Sequence, residues 1–361
     1  MIDYQIAGPI LRLFRPEFAH RLGLLGLRSP LAPRFPAADD PFERCGLRFR
    51  NRVGIAAGFD KNAVALKGIE ALGTGFVEIG TILVEPWRGN DRFPRVKRIP
   101  RTLGIWNRLG FPSEGLDKIK GRLRAFKAAP RNGLLVACNI GPHPGHVKEA
   151  NDAAGYLDTA RNELTHLVQS LYEDADFFVM NLSSPNTPGL RHLLQSDDLA
   201  RHLMLPVRQA IQSLDAQSGR ANAMPLLIKL PPEDADREAW TTQSLNAVVA
   251  PLVEVCDGFV AVNTSARLAI ESGEDSGGIS GSPLLETALG VVRELRRLVG
   301  SDRLIIGSGG ITEPKHAVQF LDAGSDLVEI YSGLVYRGPR LIEQCATACR
   351  RYRMTATATP T

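Results

Sequence analysis

Eight short runs of apolar, β-favouring residues recur along this 361-residue chain, and a helical pattern follows most of them. They are Val53–Ala57, Phe76–Gly80, Leu134–Ile140, Phe177–Leu182, Leu226–Leu230, Gly258–Asn263, Leu304–Gly307 and Leu327–Tyr331. Each is largely apolar without alternation, the pattern of strands covered on both faces. Helical periodicity follows over Ala63–Leu72, Tyr156–Tyr172, Leu199–Leu214, Leu284–Val299 and Pro314–Ala323. At the last of these Thr312 is the expected N-cap, with Pro314 opening the first turn. Eight β–α units predict an α/β fold, a closed (β/α)8 TIM barrel with its chemistry at the C-terminal strand ends. An open doubly wound sheet is the alternative, because counting strands does not establish closure.

The eight strand ends carry polar residues or glycine throughout. They run into Ala56-Ala-Gly-Phe-Asp-Lys61, Gly80-Thr81, Asn139-Ile-Gly141, Asn181, Lys229, Asn263-Thr264, Gly307-Ser-Gly-Gly310 and Tyr331-Ser-Gly333. Glycines after the seventh strand let backbone N–H groups approach an anion, and the next helix start adds partial positive charge. A phosphorylated ligand is therefore expected at the last two ends, a tight glycine turn being the plainer alternative. Asn107, Asn139, Asn181, Asn186 and Asn263 gather at the same rim, a donor-and-acceptor set suited to a planar heterocycle, although single loop asparagines usually form turns. Lys229 closes the run Leu-Leu-Ile-Lys, so its ammonium needs an anionic partner: either a structural salt bridge or a ligand that turns negative.

The net charge of +4 is too small to argue for nucleic acid. Residues 1–38 hold five Arg (Arg12, Arg15, Arg21, Arg28, Arg34) against Asp3 and Glu17. A proline-rich connector, Ser29–Pro41, sets this N-terminal unit apart from the barrel. The five cysteines are scattered and form no C-x-x-C, which speaks against a disulfide framework, a metal centre and an iron–sulfur cluster. Cys345 and Cys349 read as buried thiols. No apolar run reaches the ~18–20 residues needed to span a bilayer, and no secretory signal is expected.

From about Asp40 to Arg340 the chain resembles the dihydroorotate dehydrogenases. The resemblance rests on Ala56–Lys61, Glu78-Ile-Gly-Thr81, Asn107-Arg-Leu-Gly-Phe111, Asn181-Leu-Ser-Ser-Pro-Asn-Thr-Pro-Gly-Leu-Arg191, Gly277-Gly-Ile-Ser-Gly281, Ile306-Gly-Ser-Gly-Gly310 and Ile330-Tyr-Ser-Gly333. It implies oxidation of (S)-dihydroorotate to orotate in de novo pyrimidine (UMP) biosynthesis, with flavin mononucleotide (FMN) as hydride acceptor. The family's cytosolic classes use a cysteine base after strand four and its membrane-associated class a serine. No cysteine lies between Cys138 and Cys256, so the class that passes electrons to a membrane quinone is implied. Ser184 is then the expected catalytic base, with Ser183 as the competing assignment.

Carried over position by position, the resemblance gives FMN to Ala57, Gly58, Lys61, Thr81, Asn139, Asn181, Lys229, Val262, Gly281, Gly310, Tyr331 and Ser332. It gives dihydroorotate to Lys61, Asn107, Arg108, Leu109, Gly110, Phe111, Asn181, Asn186, Asn263 and Thr264. His20, Arg98 and Tyr331 are the implied quinone-site residues, and no metal is expected. Residues 1–38 resemble a two-helix membrane and quinone-access extension, with Phe18, Leu22 and Leu25 on one face and Arg12, Arg15 and Arg21 towards lipid phosphates. Residues 39–350 form the barrel, and 351–361 are expected to be a flexible tail. The implied location is peripheral, at the cytoplasmic face of the inner membrane, with no iron–sulfur partner subunit and no nucleic acid.

Several positions depart from the family pattern: Arg52, Pro112-Ser113-Glu114, Pro142-His143-Pro144, Val262 and Ser282. They leave two further readings open. One is a flavin barrel acting on another reduced pyrimidine, such as a dihydropyrimidine or dihydrouridine. The other is a membrane-surface binding protein that keeps the barrel without catalysis.

Overall fold

The computed structural model describes residues 4–149, 153–186, 199–234 and 236–358. Thirteen strands are assigned within them: β1 (Phe42–Arg44), β2 (Leu47–Phe49), β3 (Val53–Ile55), β4 (Phe76–Ile82), β5 (Val96–Ile99), β6 (Gly104–Asn107), β7 (Leu135–Ile140), β8 (Phe177–Asn181), β9 (Leu226–Leu230), β10 (Gly258–Ala261), β11 (Gly278–Gly281), β12 (Leu304–Ser308) and β13 (Leu327–Ile330). Eight of them close a parallel barrel in the order β3-β4-β7-β8-β9-β10-β12-β13 and back to β3. These are the eight runs of the sequence analysis, and closure replaces the open-sheet alternative.

Alternation along each strand explains why the runs lack a polar face. Outward residues such as Val53, Val77, Val136, Phe178, Ile228 and Ile305 are buried under the helical ring. Inward residues Phe76, Ala137, Val179, Leu227, Ile306 and Leu327 fill the lower interior. Two residues further along the same strands the inward positions become Glu78, Asn139, Asn181, Lys229, Ser308 and Glu329, all buried. The interior therefore changes from apolar to polar in one layer, and that layer is the floor of the mouth.

The hairpin β1–β2 turns through Cys45 and Gly46, both at positive φ (50° and 70°), as a two-residue hairpin turn requires. It drives Phe49 into the N-terminal opening against Phe76 and Phe177, at ring-centroid distances of 5.7 and 6.2 Å. The barrel is sealed at that end. Arg52 belongs to this end as well, donating to the Asp326 carbonyl (2.7 Å) and lying over Phe42.

At the opposite end β5, β6 and β11 form an antiparallel sheet in the order β11-β6-β5, which covers part of the mouth. Trp106 is fully buried beneath it and donates to the Ser276 carbonyl (2.9 Å). Two N-terminal helices, α1 (Tyr4–Leu13) and α2 (Pro16–Arg28), pack beside this sheet. The approach of α2 is close: a Cβ on Gly68 would stand 2.0 Å from the Leu27 carbonyl oxygen. Arg95 of the loop before β5 grips Glu17 with two nitrogens (3.2 and 2.5 Å).

Two local expectations are corrected. The helix Pro314–Asp322 is capped by Glu313 without a side-chain bond. Thr312 lies one residue too early, its hydroxyl near Ser282 and its N–H donating to His316 Nδ1. The C-terminal helix runs Arg340–Ala358, so 351–358 are helical, not a flexible tail, and Arg353 bonds Asp40 at 2.8 Å. Cys345 and Cys349 are fully buried in that helix, as expected.

Candidate active site

The polar layer and the cover sheet enclose a cavity at the C-terminal mouth. It leaves ≈ 1090 Å³ free of atoms, open entrance included. Strand ends all around the barrel and the cover sheet contribute to its lining, so residues from Ala56 to Ser332 converge on one space.

Its floor holds three buried ionisable groups. Lys229 Nζ bonds Glu78 (3.0 and 3.2 Å) and Glu329 (2.9 Å), with side-chain exposures of 6%, 1% and 0% for Lys229, Glu78 and Glu329. Burial alone would pull the lysine down; Glu329 and then Glu78 reverse this and hold its ammonium above the ordinary lysine range. The salt-bridge alternative for Lys229 is therefore present, and Lys229 nevertheless lines the cavity.

Above the floor runs a carboxamide–hydroxyl network. Thr81 Oγ1 donates to Asn139 Oδ1 (2.6 Å) and accepts from Asn181 Nδ2 (3.1 Å). Asn139 Nδ2 in turn donates to Glu78. Asn263 Nδ2 donates to Ser183 Oγ (3.0 Å) and Asn181 Oδ1 (3.3 Å), and Ser183 Oγ donates to Asn181 Oδ1 (3.1 Å). Asn186 Nδ2 donates to Asn107 Oδ1 (3.3 Å), while its own buried Oδ1 meets no donor among the described residues. Such an acceptor is costly unless a ligand supplies the missing N–H.

Ser183 and Ser184 separate here. Ser183 is fully buried within the network, whereas Ser184 lines the cavity and accepts from the Asn186 N–H at 3.2 Å. Lys61 also lines it. Its Nζ donates to the Gly58 carbonyl (2.7 Å) and forms no ion pair among the described residues. Burial, with Glu17 and Asp60 only partly offsetting it, pulls this ammonium down to about 8.

Near β12 and β13 lie Gly281, Gly309 and Gly310, all at positive φ (89°, 119° and 82°). A Cβ on Gly310 would stand 2.6 Å from the Leu285 backbone, and one on Gly281 2.2 Å from the Leu103 carbonyl. Only glycine leaves this cradle open. Ser332, which starts the following helix, shares a 2.9 Å hydroxyl contact with Ser280.

Of the residues expected at the site, Ala57, Gly58, Thr81, Val262 and Tyr331 line the cavity, as do Asn107, Leu109, Gly110, Phe111, Asn263 and Thr264. Asn139 stands behind Thr81. Arg108 does not face the cavity: its guanidinium bonds the Pro94 carbonyl (3.1 Å) and Asp275 (3.3 Å) and lies on Trp106. Its placement makes it a prop of the cover sheet. Arg98 donates to the carbonyls of Arg12 (3.0 Å) and Phe14 (2.9 Å) and so fixes the α1–α2 elbow. His20 stands edge-on to Phe59 (5.6 Å), which stands edge-on to Tyr331 (6.1 Å), an aromatic file from α2 to the cavity. Burial first, then Lys61, pushes His20 down to about 3, so it stays neutral. Phe59 had no signal in the sequence beyond its place in a quoted motif.

The departures at 112 and 142–144 meet at Trp87. Its indole donates to the Gly110 carbonyl (3.0 Å) and takes the His143 ring edge-on at 5.0 Å, while its backbone forms an antiparallel bridge with Ser113. His143 stacks on His146 (4.2 Å), and its N–H donates to Glu163 (2.6 Å). Thr187 to Arg191 of the expected motif lie outside the described residues.

Comparison with known proteins matches this geometry to one group. A family model described as dihydroorotate dehydrogenase covers residues 42–350. A protein of Delftia acidovorans named dihydroorotate dehydrogenase (quinone) is 37% identical, over 98% of this chain and 99% of its own length. One of Pseudomonas paraeruginosa with the same name is 37% identical, over 96% and 97%. A crystal structure of DHODH from Eimeria tenella in complex with ferulenol superposes with a TM-score of 0.82 at 29% identity, covering 95% of this chain and 92% of the other.

Proposed function

Since this chain belongs to the dihydroorotate dehydrogenase family, we propose that its mouth oxidises (S)-dihydroorotate to orotate in pyrimidine biosynthesis and sends the electrons to a quinone. The observation that carries the reading is the pairing, in one cavity, of a half-buried ammonium that has no ion-pair partner among the described residues, Lys61, and an unfilled acceptor, Asn186 Oδ1. A small planar anion with ring N–H groups satisfies both.

The residues fit FMN as the resident cofactor. The glycine cradle at 281 and 309–310, with Ser332, suits a phosphate, and Ala57, Gly58, Thr81, Val262 and Lys229 would flank the ring. When bound, flavin mononucleotide supplies the acceptor for the C6 hydride and the route onward to quinone. The chain's own residues do the rest. Lys61 holds the substrate carboxylate, while Asn107, Asn181, Asn186 and Asn263 fix the ring by its N–H and C=O edges. Ser184 Oγ takes the C5 proton. As it does so its own hydroxyl proton leaves to water, and the Asn186 N–H aimed at that oxygen steadies the negative charge that develops there.

Electron delivery is supported by the N-terminal unit. Among the described residues no helix is long and apolar enough to cross a membrane. Ile6, Ile10, Leu13, Phe14, Phe18 and Leu25 of α1, α2 and their elbow are instead exposed, Leu13 at 86%, beside the exposed Arg15 and Arg21. This face suits an anionic membrane surface at the cytoplasmic side of the inner membrane. Quinone would then approach along the file of His20, Phe59 and Tyr331.

The purified protein is expected to be yellow, to bleach with dihydroorotate and to regain colour with a soluble quinone. A colourless protein that binds no flavin overturns the reading. In a variant carrying Leu13→Glu and Leu25→Glu, bleaching by substrate should persist. Sedimentation with anionic vesicles and turnover with a long-chain quinone should fall together; unchanged vesicle binding refutes the membrane face.

A further inference from the structure

Two carboxylates on one ammonium leave the cavity floor with a charge imbalance. Glu78 and Glu329 both bond Lys229, and each carboxyl is at least 99% buried. With all three groups ionised the floor would carry −1 in a dry layer, at the place proposed to meet the flavin ring. Neighbouring elements offer no second cation: β3 and β12 place Gly54 and Ser308 in register with Glu329, and Asn139 gives Glu78 only a neutral amide donor. Glu78 Oε1 and Oε2 both accept bonds, but Glu329 has Oε1 on Lys229 and a buried Oε2 that meets no donor among the described residues. An ionised carboxylate needs donors at both oxygens; a carboxylic acid can use the free one to hold and donate a proton.

We propose that Glu329 is the proton holder of the cavity floor, a carboxylic acid in the resting protein that keeps the Glu78–Lys229–Glu329 cluster neutral beneath the flavin. The inference rests on the flavin reading of the cavity. Its acid–base behaviour follows from the same contacts. Burial, then the Glu78 charge, push the Glu329 carboxyl up to about 8, with Lys229 only partly offsetting them. Burial also opposes the charge on Glu78, but Lys229 and the bonds from Glu329 and Asn139 hold that carboxyl below its ordinary range. One proton is thus shared by two acids and rests on Glu329.

The role is one of tuning, not of catalysis. Below about 8 the floor is neutral and Lys229 can face added negative charge in the cavity. Above it Glu329 ionises and the floor opposes that charge. Two-electron reduction of the bound flavin by a hydride adds two electrons and one proton. Above about 8 a second proton must then pass from solvent to the Glu329 carboxylate to restore neutrality; below it that proton is already in place.

Infrared difference spectra of the apoprotein test the first half without flavin. A carboxylic C=O band should be present about one unit below pH 8, disappear about one unit above, and be absent from E329Q. The second half is read from proton uptake when bound flavin is reduced chemically in weakly buffered solution. Uptake should rise from about one proton per two electrons to about two across that interval, and stay at about one in E329Q. An acid band absent from the wild type, or one that persists in E329Q, overturns the proposal, as does uptake that does not change with pH. Failure to bind flavin would remove the flavin reading yet leave the infrared result standing. If E329Q does not fold, the wild-type titration of the band decides alone.

Discussion

Ser184→Ala should leave the chain folded and yellow, yet slow the bleaching of its flavin by dihydroorotate by about 10²–10⁴-fold at neutral pH, the usual worth of a general base. The direction follows from placement. Ser184 lines the cavity and has its Oγ fixed by the Asn186 N–H at 3.2 Å, whereas no flavin-cradle residue bonds it. Removing one oxygen therefore takes away the proton acceptor without opening the cradle. Stopped-flow reduction measures the effect directly, and substrate affinity measured on the same variant should change far less than the rate. Ser183→Ala should behave differently. Its hydroxyl bridges Asn181 and Asn263 at 3.1 and 3.0 Å, so its loss should weaken binding more than it slows proton removal. Normal reduction by the Ser184→Ala protein combined with a slow Ser183→Ala protein would transfer the role of base to Ser183.

Legibility in the sequence followed covering. Strands buried on both faces announce themselves as uninterrupted apolar runs, and Leu226–Leu230 is found with its bounds unchanged. Residues just past those runs were readable because a polar side chain there has no structural reason to recur eight times. The cover sheet was not. Strands β5, β6 and β11 are four residues each, and β6 pairs with β11 some 170 positions away. Strand preference of that kind comes from neighbours, which a local window does not contain. Glu78 and Glu329 were missed for a different reason. Each interrupts an apolar strand as Lys229 does, and the argument made for Lys229, that a charge in an apolar run needs an opposite partner, applied to Phe-Val-Glu-Ile and Leu-Val-Glu-Ile would have pointed to the lysine's partners. Arg108 shows the opposite error: a motif fixes which residues come together, but alternation in β6 and the reach of a long side chain decide which of them face the ligand. The roles of Ser184 and the quinone residues came from resemblance, because nothing in their local sequence carries the chemistry.

Lys61→Met should separate binding from stability, with opposite signs. Lys61 is an ammonium inside the cavity whose only bond among the described residues is to the Gly58 carbonyl, and burial pulls it down to about 8 from 10.5. Truncating one partner of a charge pair withdrawn from water costs about 2–5 kcal/mol, so affinity for dihydroorotate should fall by roughly 30- to 5,000-fold. The empty protein should be no less stable, because an apolar side chain of similar length removes an uncompensated buried charge. Two pH profiles follow. In the wild type the free enzyme loses the Lys61 charge above about 8, so substrate affinity should decline from there upward; the variant should lack the Lys61 part of that decline and keep only the shallower one that Glu329 ionisation contributes. For stability, the unfolded chain keeps the lysine proton up to its ordinary value while the folded chain releases it from about 8. Between those values the unfolded state binds more protons and wild-type stability gains with rising pH, a gain the methionine variant lacks. Titrating dihydroorotate against flavin absorbance and following urea midpoints across that interval reads both. A variant that binds substrate as the wild type does, or whose affinity declines above about 8 as steeply as the wild type's, would place the substrate carboxylate on another group.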